Sequence, residues 1–230
     1  MERTLIARCF AQAPAPGRRS APTGAVAVDA GTGNVVVTPV TKDPAVSRRG
    51  DHDLNPDLLP GRPLIPAAVL VGLVERPQGT SILFTKRTPH LTDHAGQISF
   101  PGGRVDATDA DAVAAALREA EEEVGLPARH VEMIGQLDTY VTRTGFEVTP
   151  CVGFVNPPDS YRPDPFEVTE VFEAPLSFFL DPSSRKTESR IYQGRRRFFY
   201  VYPWGDYYIW GATAGMLNNL VEVLGRLNEA

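Results

Sequence analysis

Two cysteines, Cys9 and Cys151, are all that the 230 residues contain, and they stand far apart with no CxxC spacing. That scarcity argues against a disulfide framework and against a cysteine zinc site, and it fits free thiols in the cytoplasm. Long apolar runs are missing too. The longest, AAVLVGLV at residues 67–74, is far short of the roughly 18–20 residues that a membrane-spanning helix needs. Positive charge is not in excess, since 23 Lys and Arg face 28 Asp and Glu for a formal net charge of -5. A broad nucleic-acid-binding face needs clustered surplus Lys and Arg, so a small-molecule ligand is expected instead. The first residues, MERTLIARCFAQAPAPGRR, lack the apolar core of a secretory signal and read as an ordinary arm.

What is present is the composition of a globular domain, 42% hydrophobic and 22% charged. Residues 1–64 are broken by Ala-Pro pairs, Gly31-Thr32-Gly33 and the DHDLNPDLLPGRP run, with short strands suggested only at 25–28 and 35–37. They read as an N-terminal arm, partly disordered or packed at a subunit interface, and compatible with pairing of two copies as a homodimer. Residues 65–230 read as the main folded domain. There, 67–74 and 81–84 form a hairpin across a Pro-Gln-Gly turn, and QISF at 97–100 enters Pro101-Gly102-Gly103, a turn that needs unusual backbone angles. A helix over 110–124 follows, then strands at 130–137, 147–155, 167–174 and 197–202, and a closing helix over 213–227.

The helix over 110–124 carries the strongest signal. At about 100° per residue, Val113, Leu117, Ala120 and Val124 fall within about 60° of one another as an apolar stripe. Glu119, Glu122 and Glu123 gather on a separate face about 100° wide, while Glu121 points away from them. Like charges at this spacing cost about 0.2–0.5 kcal/mol per pair, and acids near a helix C-terminus oppose its dipole by about 0.3–1 kcal/mol each. A solvated acidic face is the plain reading of such a run, but its flanks favour a site for a hard divalent cation, which seeks carboxylate oxygens and completes its shell with substrate phosphates. Gly125 suits a left-handed helix cap, and Thr108 or Asp109 is expected to cap the start. Arg118 lies about 100° round from Glu119 and is expected to brace the loop through Asp106 or Asp109.

These residues resemble the signature of the Nudix hydrolases. Arg118-Glu119-Ala120-Glu121-Glu122-Glu123-Val124-Gly125-Leu126 matches the second half of the Nudix box at every defined position. The first half departs from it: counting from Gly103, Asp109 stands where a Glu is usual, and eight residues rather than seven separate it from Arg118. Upstream, Leu83-Phe84-Thr85-Lys86-Arg87, Gly96 and Phe100-Pro101-Gly102-Gly103 resemble the extra block of the coenzyme A pyrophosphatases within that superfamily, and the WGATAG run at 210–215 resembles their C-terminal region. Phe84, Thr88 and Thr92 replace a usual Leu, a usual Ser or Ala, and a usual Arg.

The resemblance implies an α/β protein, a Nudix-type α/β/α sandwich with a mixed sheet and a loop-helix-loop catalytic motif. It implies hydrolysis of the pyrophosphate bond of coenzyme A or its derivatives to 3′,5′-ADP and 4′-phosphopantetheine, with Mg²⁺ or Mn²⁺ held by Glu119, Glu122 and Glu123. Glu119 or Glu123 would deprotonate water, Arg118 would support them, and a later acid, Glu167 or Glu170, would join. Lys86, Arg87, Gly102 and Gly103 would contact substrate, with Arg195-Arg196-Arg197 a second phosphate candidate. NADH, ADP-ribose or another nucleoside diphosphate derivative is the alternative substrate, and a non-catalytic nucleotide-binding module the alternative class, against which the three glutamates weigh. His90 and His94 are four apart but lie between Pro89 and Gly96, a loop context that speaks against a zinc pair. Trp204 and Trp210, with Tyr207 and Tyr208, read as core or groove wall rather than a stacking platform.

Overall fold

The computed structural model describes residues 2–12, 26–28, 35–37, 48–56, 58, 63–90 and 95–225. Fourteen strands and four α-helices are described. In chain order they are α1 (Arg3–Gln12), β1 (Val26–Val28), β2 (Val35–Val37), β3 (Arg48–Gly50), β4 (Ile65–Arg76), β5 (Gly79–Arg87), β6 (Ile98–Ser99), β7 (Gly102–Arg104), α2 (Ala112–Val124), β8 (Val131–Gln136), β9 (Thr139–Val141), β10 (Phe146–Val155), β11 (Val168–Pro175), α3 (Leu176–Leu180), β12 (Lys186–Tyr192), β13 (Arg195–Trp204), β14 (Tyr207–Trp210) and α4 (Gly211–Gly225).

The expected hairpin is β4 and β5, joined at Pro77-Gln78 with Arg76 opposite Gly79. The centre of the main sheet runs β11-β5-β4-β10-β9-β3. β4 and β10 pair in parallel over ten positions from Phe146 opposite Ile65 to Val155 opposite Val74, while β5 and β11 are antiparallel to their neighbours. The sheet is therefore mixed. The middle of β4, residues 67–74, and most of β10 are buried on both faces, which is why their sequences read as apolar runs rather than alternations.

Alternate residues feed two cores. On one face Val71, Leu73, Ile82, Phe84, Val152 and Phe154 pack with α1, α3, α4 and the three-stranded sheet β12-β13-β14. On the other, Ala68, Leu70, Val74, Leu83, Cys151 and Val155 meet α2 through Ala115, Ala116, Ala120 and Val124. Helices on both faces of a mixed sheet are the α/β/α sandwich expected.

The N-terminal segment contributes to this body where it is described. Ile6 and Cys9 of α1 are buried in the larger core, and β3 extends the main sheet in parallel with β9. The strands expected at 25–28 and 35–37 are β1 and β2, paired antiparallel. The remainder of the expected arm, including residues 13–25 and 38–47, lies outside the described residues, as do His94 and Thr92. No described helix is long and apolar enough to cross a membrane. The buried cysteines Cys9 and Cys151 are both free thiols.

Candidate active site

The catalytic-motif helix differs from expectation in two ways. It starts at Ala112 and its cap is Asp111, whose Oδ1 accepts the Ala114 amide at 2.8 Å, not Thr108 or Asp109. Its buried face is formed by Ala115, Ala116, Ala120, Glu123 and Val124, rotated by roughly 60° from the expected stripe. Leu117 is only partly buried and lines a surface hollow with Ala114, Arg118, Glu121, Glu122 and Ala128. The cause is size, because alanines let the helix approach β4 and β7 closely where Leu117 would hold it off. The rotation draws the glutamates inward by different amounts. Side-chain exposure is 60% at Glu122, 17% at Glu119 and 5% at Glu123, while Glu121 is exposed and stands apart.

The helix ends as foreseen. Gly125 takes a left-handed conformation (φ 66°, ψ 32°) and its amide reaches back to Glu121 at 3.0 Å. The glycine turn at the other end is a steric requirement. Gly102 has φ +153°, and a Cβ there would stand 2.6 Å from the Val69 Cα. A Cβ on Gly103 would stand 2.5 Å from the Glu119 carboxylate. The double glycine thus makes room for the backbone of β4 and for a helix carboxylate.

Arg118 is the hub. Its Nε and Nη2 donate to the Asp109 oxygens at 3.0 and 2.9 Å, and Nη2 also donates to the Arg104 carbonyl at 3.1 Å. The bracing expected from the sequence is present, through Asp109 above all, with Asp106 at 3.8 Å. Nη1 further donates to Glu119 and Glu122, each at 3.0 Å, a double contact that the sequence reading did not anticipate. Hydrogen bonding from Arg118 holds the Asp109 carboxyl below its ordinary pKa, and the same bonds push the guanidinium pKa up. The extra residue between Asp109 and Arg118 is thus accommodated without loss of the brace.

Glu123 lies deepest. Its Oε2 accepts the Gly102 amide at 3.1 Å, and Arg87 Nη1 stands 3.6 Å from its Oε1. Burial pushes its pKa up to about 7, more than the Gly102 amide and Arg87 pull it down, with Glu119 and Glu167 adding to the rise. Burial also raises Glu119 against the opposing pull of Arg118.

Of the two later acids, Glu167 is the one whose charge reaches Glu119 and Glu123, whereas Glu170 accepts a 2.5 Å hydrogen bond from the Tyr207 hydroxyl. Lys86 and Arg87 alternate across the pleat. Arg87 comes to Glu123 on the α2 side, while Lys86 pairs opposite Glu170 and is not brought to the carboxylates. Arg195 and Arg196 are exposed on β13 and Arg197 is half-buried there, in the three-stranded sheet on the other side of the main sheet from α2. Trp204 is half-buried, stacked on Phe172 and Tyr207 at centroid distances of 6.0 and 5.6 Å, as a wall residue would be.

The segment 162–166 went unread in the sequence. Arg162 and Asp164 donate their amides to the carbonyls of Val124 and Glu123, both at 2.9 Å, so this loop is tied to the end of the glutamate helix. Pro, Asp and Arg at 162–165 give a turn signal, but nothing in it points to the partner.

Among the described residues, no three His, Cys, Asp or Glu side chains close into a ready-made metal cage. Magnesium seldom uses one; it binds one or two carboxylates and fills its shell with water and phosphate. The donor set fits that mode. Glu123 is a buried carboxylate with no cation closer than 3.6 Å, and a divalent ion would meet that unmet charge.

An α/β/α sandwich carrying a glycine turn and an Arg-braced helix of glutamates against its sheet defines a pyrophosphohydrolase of the Nudix class. The NUDIX domain family model matches residues 64–192. The Nudix hydrolase NudL of Escherichia coli K12, itself uncharacterized, is 45% identical over 159 residues, covering 69% of this chain and 82% of that protein. Its counterpart in Shigella boydii serotype 18 is 44% identical over the same length. Among solved structures, the MutT protein of Methanosarcina mazei Go1 aligns with a TM-score of 0.47 at 19% identity, over 75% of this chain and all of that one. The chain belongs to the Nudix hydrolases, enzymes that act on small-molecule substrates and generally use divalent metal ions.

Proposed function

We propose that this Nudix hydrolase cleaves the pyrophosphate bond of coenzyme A or its derivatives, releasing 3′,5′-ADP and 4′-phosphopantetheine. The observation that carries the reading is that the block resembling the coenzyme A pyrophosphatases forms one wall of the site. Arg87, at the end of β5, reaches Glu123, and Gly102 binds the same carboxylate from the other end of that block. We further read residues 65–230 as the catalytic domain and residues 1–64 as an arm that adds to it.

Glu119, Glu122 and Glu123 would hold Mg²⁺ or Mn²⁺. Bound there, the ion offsets charge on the diphosphate and lowers the pKa of water. The chain does the rest. Arg118 fixes Glu119 and Glu122 relative to the Asp109 loop, so the carboxylates are aimed before substrate arrives. Glu119 or Glu123 takes the proton of the attacking water, with Glu167 as the further acid. Arg87 offers planar N–H donors that suit a phosphoryl group, and the side-chain-free Gly102 and Gly103 let a phosphate approach the backbone.

The test is a turnover screen of coenzyme A, NADH, ADP-ribose and a nucleoside triphosphate, each with Mg²⁺ and with Mn²⁺. Preferential release of 3′,5′-ADP from coenzyme A is expected. Faster turnover of NADH or ADP-ribose would reassign the substrate, and failure of all four would overturn the reading.

A further inference from the structure

Phe166 is the most exposed of the large hydrophobic side chains described, at 75% of its full surface. A lone exposed apolar residue is ordinary. This one is not on a loose loop. The Phe166 amide donates to Asp164 Oδ1 at 2.9 Å and its carbonyl accepts the Thr88 hydroxyl at 2.9 Å. The amides of Glu167 and Val168 both return to the Asp164 carbonyl at 3.1 and 2.8 Å, and the Thr88 amide binds the Glu167 carbonyl at 2.9 Å. Asp164 itself is tied to the backbone of Glu123. The chain spends six hydrogen bonds on a fixed backbone for a ring that it leaves in water. Phe166 also stands between site elements, next in sequence to Glu167, whose charge is felt at Glu119 and Glu123, and held by the residue that follows Arg87.

We infer that Phe166 is a specificity residue whose ring stacks on the nucleobase of the substrate; this rests on the hydrolase reading above. The chemistry of its surroundings selects that part of the molecule. Asp164, whose Oδ1 holds the Phe166 amide, puts a carboxylate beside Phe166 and repels phosphoryl groups, which belong with Arg87 and the glutamates that would hold the metal. A neutral planar ring needs no polar partner here and gains from a preorganised aromatic face. A flexible apolar arm gains less, because ordering it costs conformational entropy.

The experiment pairs kinetics with a binding readout that needs no turnover. Phe166→Ala and Phe166→Leu should each raise KM for coenzyme A about tenfold while kcat moves less than about threefold, and Phe166→Tyr should restore the wild-type KM. Phe166→Trp, titrated in EDTA, should show fluorescence quenching by 3′,5′-ADP beyond that of the wild type, and none by 4′-phosphopantetheine. If coenzyme A is hydrolysed and Phe166→Ala leaves KM unchanged, the inference fails and the hydrolase reading stands. If Phe166→Leu matches the wild type, an apolar contact rather than stacking is at work, and the inference again fails. Should the wild type hydrolyse none of the nucleotides, the functional reading falls, and the titration decides alone: quenching by 3′,5′-ADP only sustains the base assignment, while no quenching, or quenching by 4′-phosphopantetheine, overturns it.

Discussion

Arg118 grips Asp109 with two nitrogens, at 3.0 and 2.9 Å, while its third nitrogen reaches Glu119 and Glu122. One guanidinium therefore fixes both the loop that follows the double glycine and the helix that carries the acids. Lys cannot reproduce this fork, because an ammonium has no planar pair of donors. Arg118→Lys should lower kcat about 10- to 100-fold, the usual effect of losing a group that orients ligands, while far-ultraviolet circular dichroism stays unchanged. A wild-type rate in Arg118→Lys would show that the brace is dispensable.

Glu122 gives the cleanest separation of chemistry from folding. Its side chain is 60% exposed and, among the described residues, bonded only to Arg118, so Glu122→Gln should cost no more than about 0.2–1 kcal/mol of stability. Turnover should nevertheless collapse if Glu122 helps hold the metal. Retained turnover in a folded Glu122→Gln protein would remove it from the ligand set.

The site was legible in the sequence because its signal is a charge pattern that stability disfavours. Three glutamates on one face, with glycines at both ends, need no tertiary information to be seen. How deep each glutamate sits was not legible, since that depends on alanines setting the approach of α2 to the sheet; a helical wheel weights Leu117 and Val113 above them. The hairpin β4–β5 and the strand β10 were foreseen because each buries an apolar run, whereas β8, β11 and β13, mostly half-buried, showed as strand-forming stretches between loops rich in Pro, Asp and Gly. β12 was missed because nearly all of it is exposed, so KTESRIY carries no alternation. α1 was missed for a related reason: its contacts lie in the distant β8 and α4, and the prolines that follow it made the whole segment read as an arm.

Burial of Glu123 predicts a pH dependence in the metal-free protein. Its pKa rises from the ordinary 4.5 to about 7 on folding. Ionisation is therefore easier in the unfolded chain, and the contribution to stability present below pH 4.5 is lost as pH rises through 7. The full difference is about 3 kcal/mol. In EDTA, the stability of wild type relative to Glu123→Gln, from urea unfolding, should fall by that order between pH 5 and pH 8. Adding Mg²⁺ at pH 8 should recover wild type more than the variant. Parallel curves for the two proteins at all pH values would mean that Glu123 is solvated and that the buried-acid account is wrong.

Gly103 should accept no side chain without displacing Glu119. A Cβ at this position would stand 2.5 Å from both Cδ and Oε1 of Glu119, inside the contact distance of real atoms. Glu119 is the flexible partner, so Gly103→Ala is expected to fold, with the carboxylate pushed from its place and its bond to Arg118 broken. The outcome should be loss of turnover with a modest drop in melting temperature. An active Gly103→Ala enzyme would mean that Glu119 can act from another rotamer.

Ile6 tests whether the N-terminal segment supports the fold or the chemistry. The side chain is fully buried in the core that α1 shares with the main sheet and α4, on the face opposite the glutamate helix. Truncation of a buried Ile leaves a cavity and typically costs about 2–5 kcal/mol, whereas the carboxylates and Arg118 are bound through α2, β5 and β7 and touch nothing on α1. Ile6→Ala should thus melt at a clearly lower temperature and need less urea to unfold. At a temperature where both proteins are folded, its kcat and KM should match the wild type. If α1 instead shapes the substrate pocket, KM will rise in Ile6→Ala at temperatures well below its melting point, and the segment must then be counted as part of the catalytic unit.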